Sequence, residues 1–177
     1  MKIQIIGYAG SGKSTLAKKL GELYNIPVLH LDNTKFFGDW EERTSEEQAV
    51  IVQDFLDKNQ NWVIDGNFAK ICPERFEESD MTIYLNFNRF FCLRSAYRRY
   101  KEYKDKTRES CPCKEKFDWS FAKWILFGGR TREKRNKHIQ NLNKTNGKKY
   151  MFKNRKQVNK FFEDLKKEVE LQNQDKR

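Results

Sequence analysis

Short apolar runs alternate along the chain with longer stretches whose apolar residues recur every three or four positions. KIQIIGY at 2–8 predicts a buried strand, and PVLHLD at 27–32, NWVID at 61–65, DMTIYLNF at 80–87 and KKYMF at 148–152 predict four more. Leu16, Leu20 and Leu23 predict a helix after the first strand. Ser45 and Gln48 form a capping-box pattern that opens a helix faced by Val52, Phe55 and Leu56. A helix is expected from about Arg89 to Tyr103. Trp119 to Phe127 reads as helical, Gly128-Gly129 interrupts it, and the helical pattern resumes from Arg130 to Leu142. Val158, Phe161, Leu165 and Val169 give a last helix its apolar face.

Strands separated by helices predict an α/β chain with a mostly parallel sheet and right-handed crossovers. Ligands of such sheets bind at the carboxyl ends of the strands. Gly7 to Ser14, Asp32 and Asp65 follow the first three strands, so one rim is expected to collect them.

Composition limits what that rim can serve. At 177 residues the chain suits a single domain, 1–177, with an insert; 34% charged residues against 37% hydrophobic would suggest disorder, but 14% aromatic content supplies a core. Residues 1–88 hold 9 Lys/Arg against 14 Asp/Glu, residues 89–149 hold 19 against 6, and residues 150–177 hold 8 against 5. The basic middle implies an anionic partner: a polyphosphate, a nucleic acid or an acidic surface. Cys72, Cys92, Cys111 and Cys113 come without a leader sequence or a membrane-length apolar run, so a cytoplasmic location with reduced thiols is expected.

The stretch GYAGSGKS, with Gly7, Gly12, Lys13 and Ser14 in the fixed positions, matches the phosphate-binding loop G-x-x-x-x-G-K-[ST] in its strand-to-helix context. The backbone from Gly7 through Ala9, Gly10, Ser11 and Gly12 to Thr15 would cradle phosphate oxygens, Lys13 would reach the terminal phosphates, and Ser14 would ligate Mg²⁺. ATP and Mg²⁺ are therefore the expected cofactors. A GTPase is set aside because Asn143-Lys144-Thr145-Asn146 lacks the aspartate of the guanine-reading N-K-x-D. The chain is also short for a motor ATPase, whereas a small kinase fits. Asp65, at a strand end before a glycine, suits either Mg²⁺ binding or a cap. Asp32 either orients an acceptor hydroxyl and takes its proton or serves as a turn residue.

Arg94 and Arg98 share a helix face with Arg99 beside them, and Arg130, Arg132 and Arg135 cluster later. An arginine-rich lid over about 104–135 would put positive charge on a moving phosphoryl group and exclude water. An acceptor region is expected over about 33–60. Cys111-Pro112-Cys113 lacks the second ligand pair of a zinc site. His30 reads as a strand residue and His138 as an exposed helix residue.

GYAGSGKSTLAKKL, HLD at 30–32, WVIDGNF at 62–68, the LRSAYRR helix and RTREKR together resemble the adenylate-kinase-like P-loop kinases, most closely the DNA topology modulation (FlaR-related) proteins. The resemblance implies a five-stranded parallel sheet in the order 2-3-1-4-5, flanked by helices and carrying a helical lid. It implies phosphotransfer from ATP to a small molecule such as a nucleoside or nucleotide, with Arg94 on the adenine and Arg98 and one or more of Arg130, Arg132 and Arg135 on phosphates. It also implies that Asn154 to Lys156 lie near the base edge. Where the nucleoside monophosphate kinases of this fold have D-G-F-P-R, this chain has Asp65-Gly66-Asn67-Phe68-Ala69, and its next arginine is Arg75. The family label adds an alternative, an ATP-binding protein that binds nucleic acid.

Overall fold

The computed structural model describes residues 1–38 and 40–174. Strand β1 (Lys2–Gly7) lies at the centre of a five-stranded sheet, with β3 (Trp62–Asp65) and then β2 (Val28–His30) on one side, and β4 (Met81–Leu85) and then β5 (Lys148–Phe152) on the other. Every pairing is parallel. Helices cover both faces, which is why β3 and β4 are buried at every position and are mostly apolar, with only Asp65 and Thr82 as polar positions.

The α/β architecture and the order 2-3-1-4-5 are those expected. Helix α1 (Lys13–Tyr24) turns Leu16, Ala17 and Leu20 into the main core beside Ile3, Ile5, Ile83 and Leu85. A second cluster, Leu31, Val52, Trp62, Ile64 and Ile71, lies under α3 (Ser45–Lys58).

Three local expectations are corrected. The second strand ends at His30, and Asp32 sits in the first turn of a short helix, α2 (Leu31–Lys35). One guanidinium nitrogen of Arg43 donates to the carbonyls of Asn33, Thr34 and Phe36, satisfying the end of α2 from ten residues away or less, where a strand pattern has no view of it. The capping box is Thr44 with Glu47, one residue ahead of Ser45 and Gln48, because Thr44 holds the extended backbone a cap requires. His138 is buried, not exposed; its ring packs edge-on to Tyr8 and against Tyr84, with centroids 5.4 and 5.2 Å away.

The insert follows α4 (Arg89–Tyr103). Its first part, 104–118, is looped rather than helical. The Glu115 amide donates to the Lys106 carbonyl, and Arg108 and Cys111 exchange backbone hydrogen bonds. Then come α5 (Trp119–Leu126), a single 3-10 turn at Gly128–Arg130, α6 (Arg132–Lys144) and, after β5, α7 (Arg155–Gln174). Among the described residues no helix is long and apolar enough to cross a membrane.

Candidate active site

Strand β1 delivers the chain to the rim at Gly7. Asn67, just beyond β3, fixes it there: its side-chain oxygen accepts from the Gly7 amide at 3.0 Å and its side-chain nitrogen donates to the Gly7 carbonyl at 2.7 Å. The loop then folds back, with the Ser11 amide donating to the Tyr8 carbonyl. Gly10 (φ 74°) presses against the Cys92 carbonyl on α4, leaving no room for a Cβ. Gly12 (φ 90°) is the N-cap of α1, and no side chain caps that helix. The first-turn amides therefore lack intrahelical partners and present the positive end of the helix dipole to the cleft. The Ser11 hydroxyl is fully buried and has no partner among the described residues.

Beside this cradle the Ser14 hydroxyl donates to Asp65 Oδ2 at 2.9 Å. Asp65 is 4% exposed, and its Oδ1 meets Nδ1 of His30, which stands opposite it in the β2–β3 register. A hydroxyl and one carboxylate next to a phosphate cradle fit Mg²⁺, which takes its remaining ligands from phosphates and water. Among the described residues no three His, Cys, Asp or Glu side chains converge as an all-protein cage, and a phosphate-bound Mg²⁺ does not use one.

Lys13 reaches back to the Tyr8 carbonyl at 3.3 Å. Burial lowers its pKa, while Asp32 and Asp65 oppose that shift and Arg99 adds to it. Asp32 is exposed at the start of α2, with neighbouring groups of the cleft that partly desolvate its carboxyl. That desolvation raises its pKa; Lys13, Arg108 and Arg99 oppose the shift and Asp65 reinforces it. A carboxylate raised in this way is a better proton acceptor than an ordinary aspartate.

The cleft is roofed by the looped part of the insert. Glu115, 5% exposed, accepts at Oε1 from Arg99 Nε (2.8 Å) and Nη2 (2.6 Å), and at Oε2 from Arg108 Nε (2.7 Å). The roof also touches the region after β2. Asn33 donates to the Glu109 carbonyl at 2.7 Å, the Trp40 indole donates to the Lys114 carbonyl at 3.2 Å, and Lys18 pairs with Glu109 at 2.8 Å.

Other arginines lie elsewhere. Arg94 lines an apolar groove of about 470 Å³ between α4 and α5 with Phe90, Tyr97 and Trp119, on the side of α4 away from Cys92 and Gly10. Arg98 is exposed on α4 close enough to Arg155 to act on it, and Arg155 spreads its guanidinium over Gly12, 2.6 Å from where a Cβ would stand. Arg132 and Arg135 are exposed on α6. Arg130 instead stacks on the Tyr8 ring at 3.8 Å and donates to the Ile125 and Phe87 carbonyls, pinning the insert to the loop. Asn154 caps α7 by accepting from the Gln157 amide. Arg75 is fully buried and bonded to Gln4 and to main-chain carbonyls, and burial lowers its pKa to about 10.

Arg108, Glu115 and Asn67 were not among the expected site residues, and Arg155, expected near the base edge, lies over Gly12 of the loop. No motif or spacing marks Arg108 and Glu115, which flank Cys-Pro-Cys in an aperiodic stretch. Asn67 was visible in WVIDGNF as the departure from D-G-F-P-R.

A sequence-family model described as an AAA domain matches residues 3–115, from β1 to the roof glutamate. No curated protein matches the sequence. Among solved structures, the fold is similar to a shikimate kinase from Acinetobacter baumannii in complex with shikimate, with TM-score 0.53, 14% identity, and 99% of this chain and 93% of that one covered. It is similar to a shikimate kinase from Bacteroides thetaiotaomicron, with TM-score 0.54, 17% identity and coverage of 95% and 97%. An uncharacterized protein from Eubacterium ventriosum aligns with TM-score 0.52, 15% identity and coverage of 96% and 99%. At these identities the likeness establishes a P-loop kinase-like fold. The family match spans more than half of the chain and contains the phosphate-binding loop, so the protein belongs to the AAA domain family.

Proposed function

We propose that the protein is an ATP- and Mg²⁺-dependent kinase that phosphorylates a hydroxyl group of a small molecule. The observation that carries this reading is the phosphate-binding loop with Lys13 folded back on the Tyr8 carbonyl and the Ser14 hydroxyl on Asp65, opening onto the rim where Asp32 stands in the first turn of α2. Lys13 neutralises the terminal phosphate, and the amides from Gly10 to Thr15 hold the polyphosphate. Mg²⁺ at Ser14 and Asp65 would offset the charge that builds on the phosphate oxygens. Asp32 orients the acceptor hydroxyl and takes its proton as the acceptor oxygen bonds to the γ-phosphorus; the bond to the β–γ bridging oxygen breaks and its electron pair leaves on ADP. In this reading Arg98, Arg132 and Arg135 contact phosphates when the insert closes further, and Arg94 and Asn154 belong to the base side.

A hydroxyl acceptor is favoured over a nucleotide phosphate by how the basic groups near the acceptor region are used. Arg43 caps α2 and Lys35 pairs with Glu42 at 2.8 Å, while Arg75 is locked in the core. The resemblance to the topology-modulation proteins belongs to the same proposal, with nucleic-acid binding as the rival. Transfer of label from γ-³²P-ATP to a panel of nucleosides, nucleotides and small alcohols tests the reading. Labelling of a hydroxyl compound is expected. Tight ATP binding without transfer to any acceptor, alongside steeply salt-dependent DNA binding, would replace it with the rival.

A further inference from the structure

We propose that Glu115 is a positioning residue that holds Arg99 and Arg108 as a pair whose remaining amino groups receive the phosphoryl group as it passes from nucleotide to acceptor. This rests on the kinase reading above and assigns the roof its part in it. Glu115 makes three short hydrogen bonds, two from Arg99 and one from Arg108, and its backbone is fixed by the bond to Lys106. Arg108 Nη1 is further held by the Ser110 hydroxyl at 2.9 Å. Arg99 Nη1 and Arg108 Nη2 have no partner among the described residues.

The loop that carries Arg108 and Glu115 is tied to both sides of the cleft, with Lys18 of α1 and Asn33 of α2 both held on Glu109. Arg99 acts on both Lys13 and Asp32, and Arg108 acts on Asp32. Two guanidinium groups repel each other, and burial and Arg108 both lower the pKa of Arg99, so an anion bonded to both offsets the repulsion. Glu115 is that anion, at a cost. A buried carboxylate in an anion-binding cleft weakens ground-state attraction for a triphosphate, and a buried ion pair adds little to stability over a packed apolar group. What it contributes is geometry. Amino groups locked in place through the rest of their guanidinium groups need no reorganisation when charge spreads over the moving phosphoryl oxygens.

The charge that Glu115 removes and the geometry that it supplies have opposite signs in a binding experiment, which separates positioning from a purely structural role. Affinities of Glu115→Gln are measured for Mg·AMP-PNP, a ground-state mimic, and for Mg·ADP with aluminium fluoride, a mimic of the transferring phosphoryl group with water in the acceptor's place. Unchanged or tighter AMP-PNP binding, with affinity for the fluoride complex at least about tenfold weaker, is expected. Arg108→Lys keeps a cation beside Glu115 but lacks the fork. It should show the same split, and it stands in if Glu115→Gln fails to fold. Equal losses for both ligands, or no loss for the fluoride complex, would overturn the proposal. If the wild-type protein bound no Mg·AMP-PNP at all, the kinase reading itself would fall and this proposal with it.

Discussion

The floor and the roof of the cleft bind charge by different means. The floor is main chain: contiguous residues from Gly7 to Thr15, where a strand ends and the uncapped N-terminus of a helix begins. The roof is side chain: Arg99, Arg108 and Glu115 come from α4 and a looped insert and are held by ion pairing. A main-chain site depends on backbone conformation and therefore on glycine at fixed positions. A side-chain site depends on mutual contacts, so its residues can lie anywhere in the chain. The floor also leans on the insert from below, through Arg130 on Tyr8 and His138 beside both Tyr8 and Tyr84.

The largest expected effect comes from removing the floor's one cation. Lys13→Ala should lower phosphotransfer by about 10³-fold or more while leaving the circular dichroism spectrum unchanged. An equally active variant would move the reaction away from the loop. Asp32→Asn should cost about 10²- to 10³-fold with a hydroxyl acceptor and little with a phosphate acceptor. Because desolvation raises the Asp32 pKa, wild-type activity should fall on acidification at a higher pH than an ordinary aspartate would impose, as the carboxylate takes up a proton. In Asp32→Asn that acid limb should be gone from the residual rate, and its persistence would assign the proton to another group.

Next in size is the buried histidine between the two parts. Burial, with help from Lys13, holds the His138 pKa down to about 4, against 6.5 for the free side chain. The unfolded chain therefore binds the extra proton first. This contribution to stability is complete above pH 6.5 and is lost progressively as the pH falls toward 4, amounting to about 3 kcal/mol at most. Urea denaturation at stepped pH should show the slope, flattened in His138→Phe; identical slopes would mean that the ring is protonated in the fold. The smallest effect belongs to Asn67→Ala, which unpairs both polar groups of Gly7. A loss of about 1–2 kcal/mol in stability and weaker nucleotide binding are expected, and unchanged values for both would show that Gly7 holds its place unaided.

These contrasts also explain what could be read from the sequence. The five strands, α4 and the loop were legible because each is a contiguous pattern whose cause lies within it, and β5 and α4 begin and end where expected. The strand order came from family resemblance rather than from any periodicity. α2 was missed because Arg43, which caps it, belongs to no local pattern. The burial of His138 was missed because it lies in a polar helix, REKRNKHIQNLNK, and is covered by rings from β4 and the loop. The roof was anticipated as basic charge, but its organising residue is acidic. A count of arginines cannot reveal a glutamate that sets their direction.

The central claim is that the Gly7–Thr15 backbone with Lys13 grips the triphosphate of a magnesium nucleotide, and calorimetric titration with Mg·AMP-PNP tests it most directly. Saturable one-site heat in the wild-type protein is predicted, abolished in Lys13→Ala and weakened when Mg²⁺ is omitted or Asp65 is changed to Asn. Absence of heat in the wild type, or equal affinity in Lys13→Ala, would contradict the account.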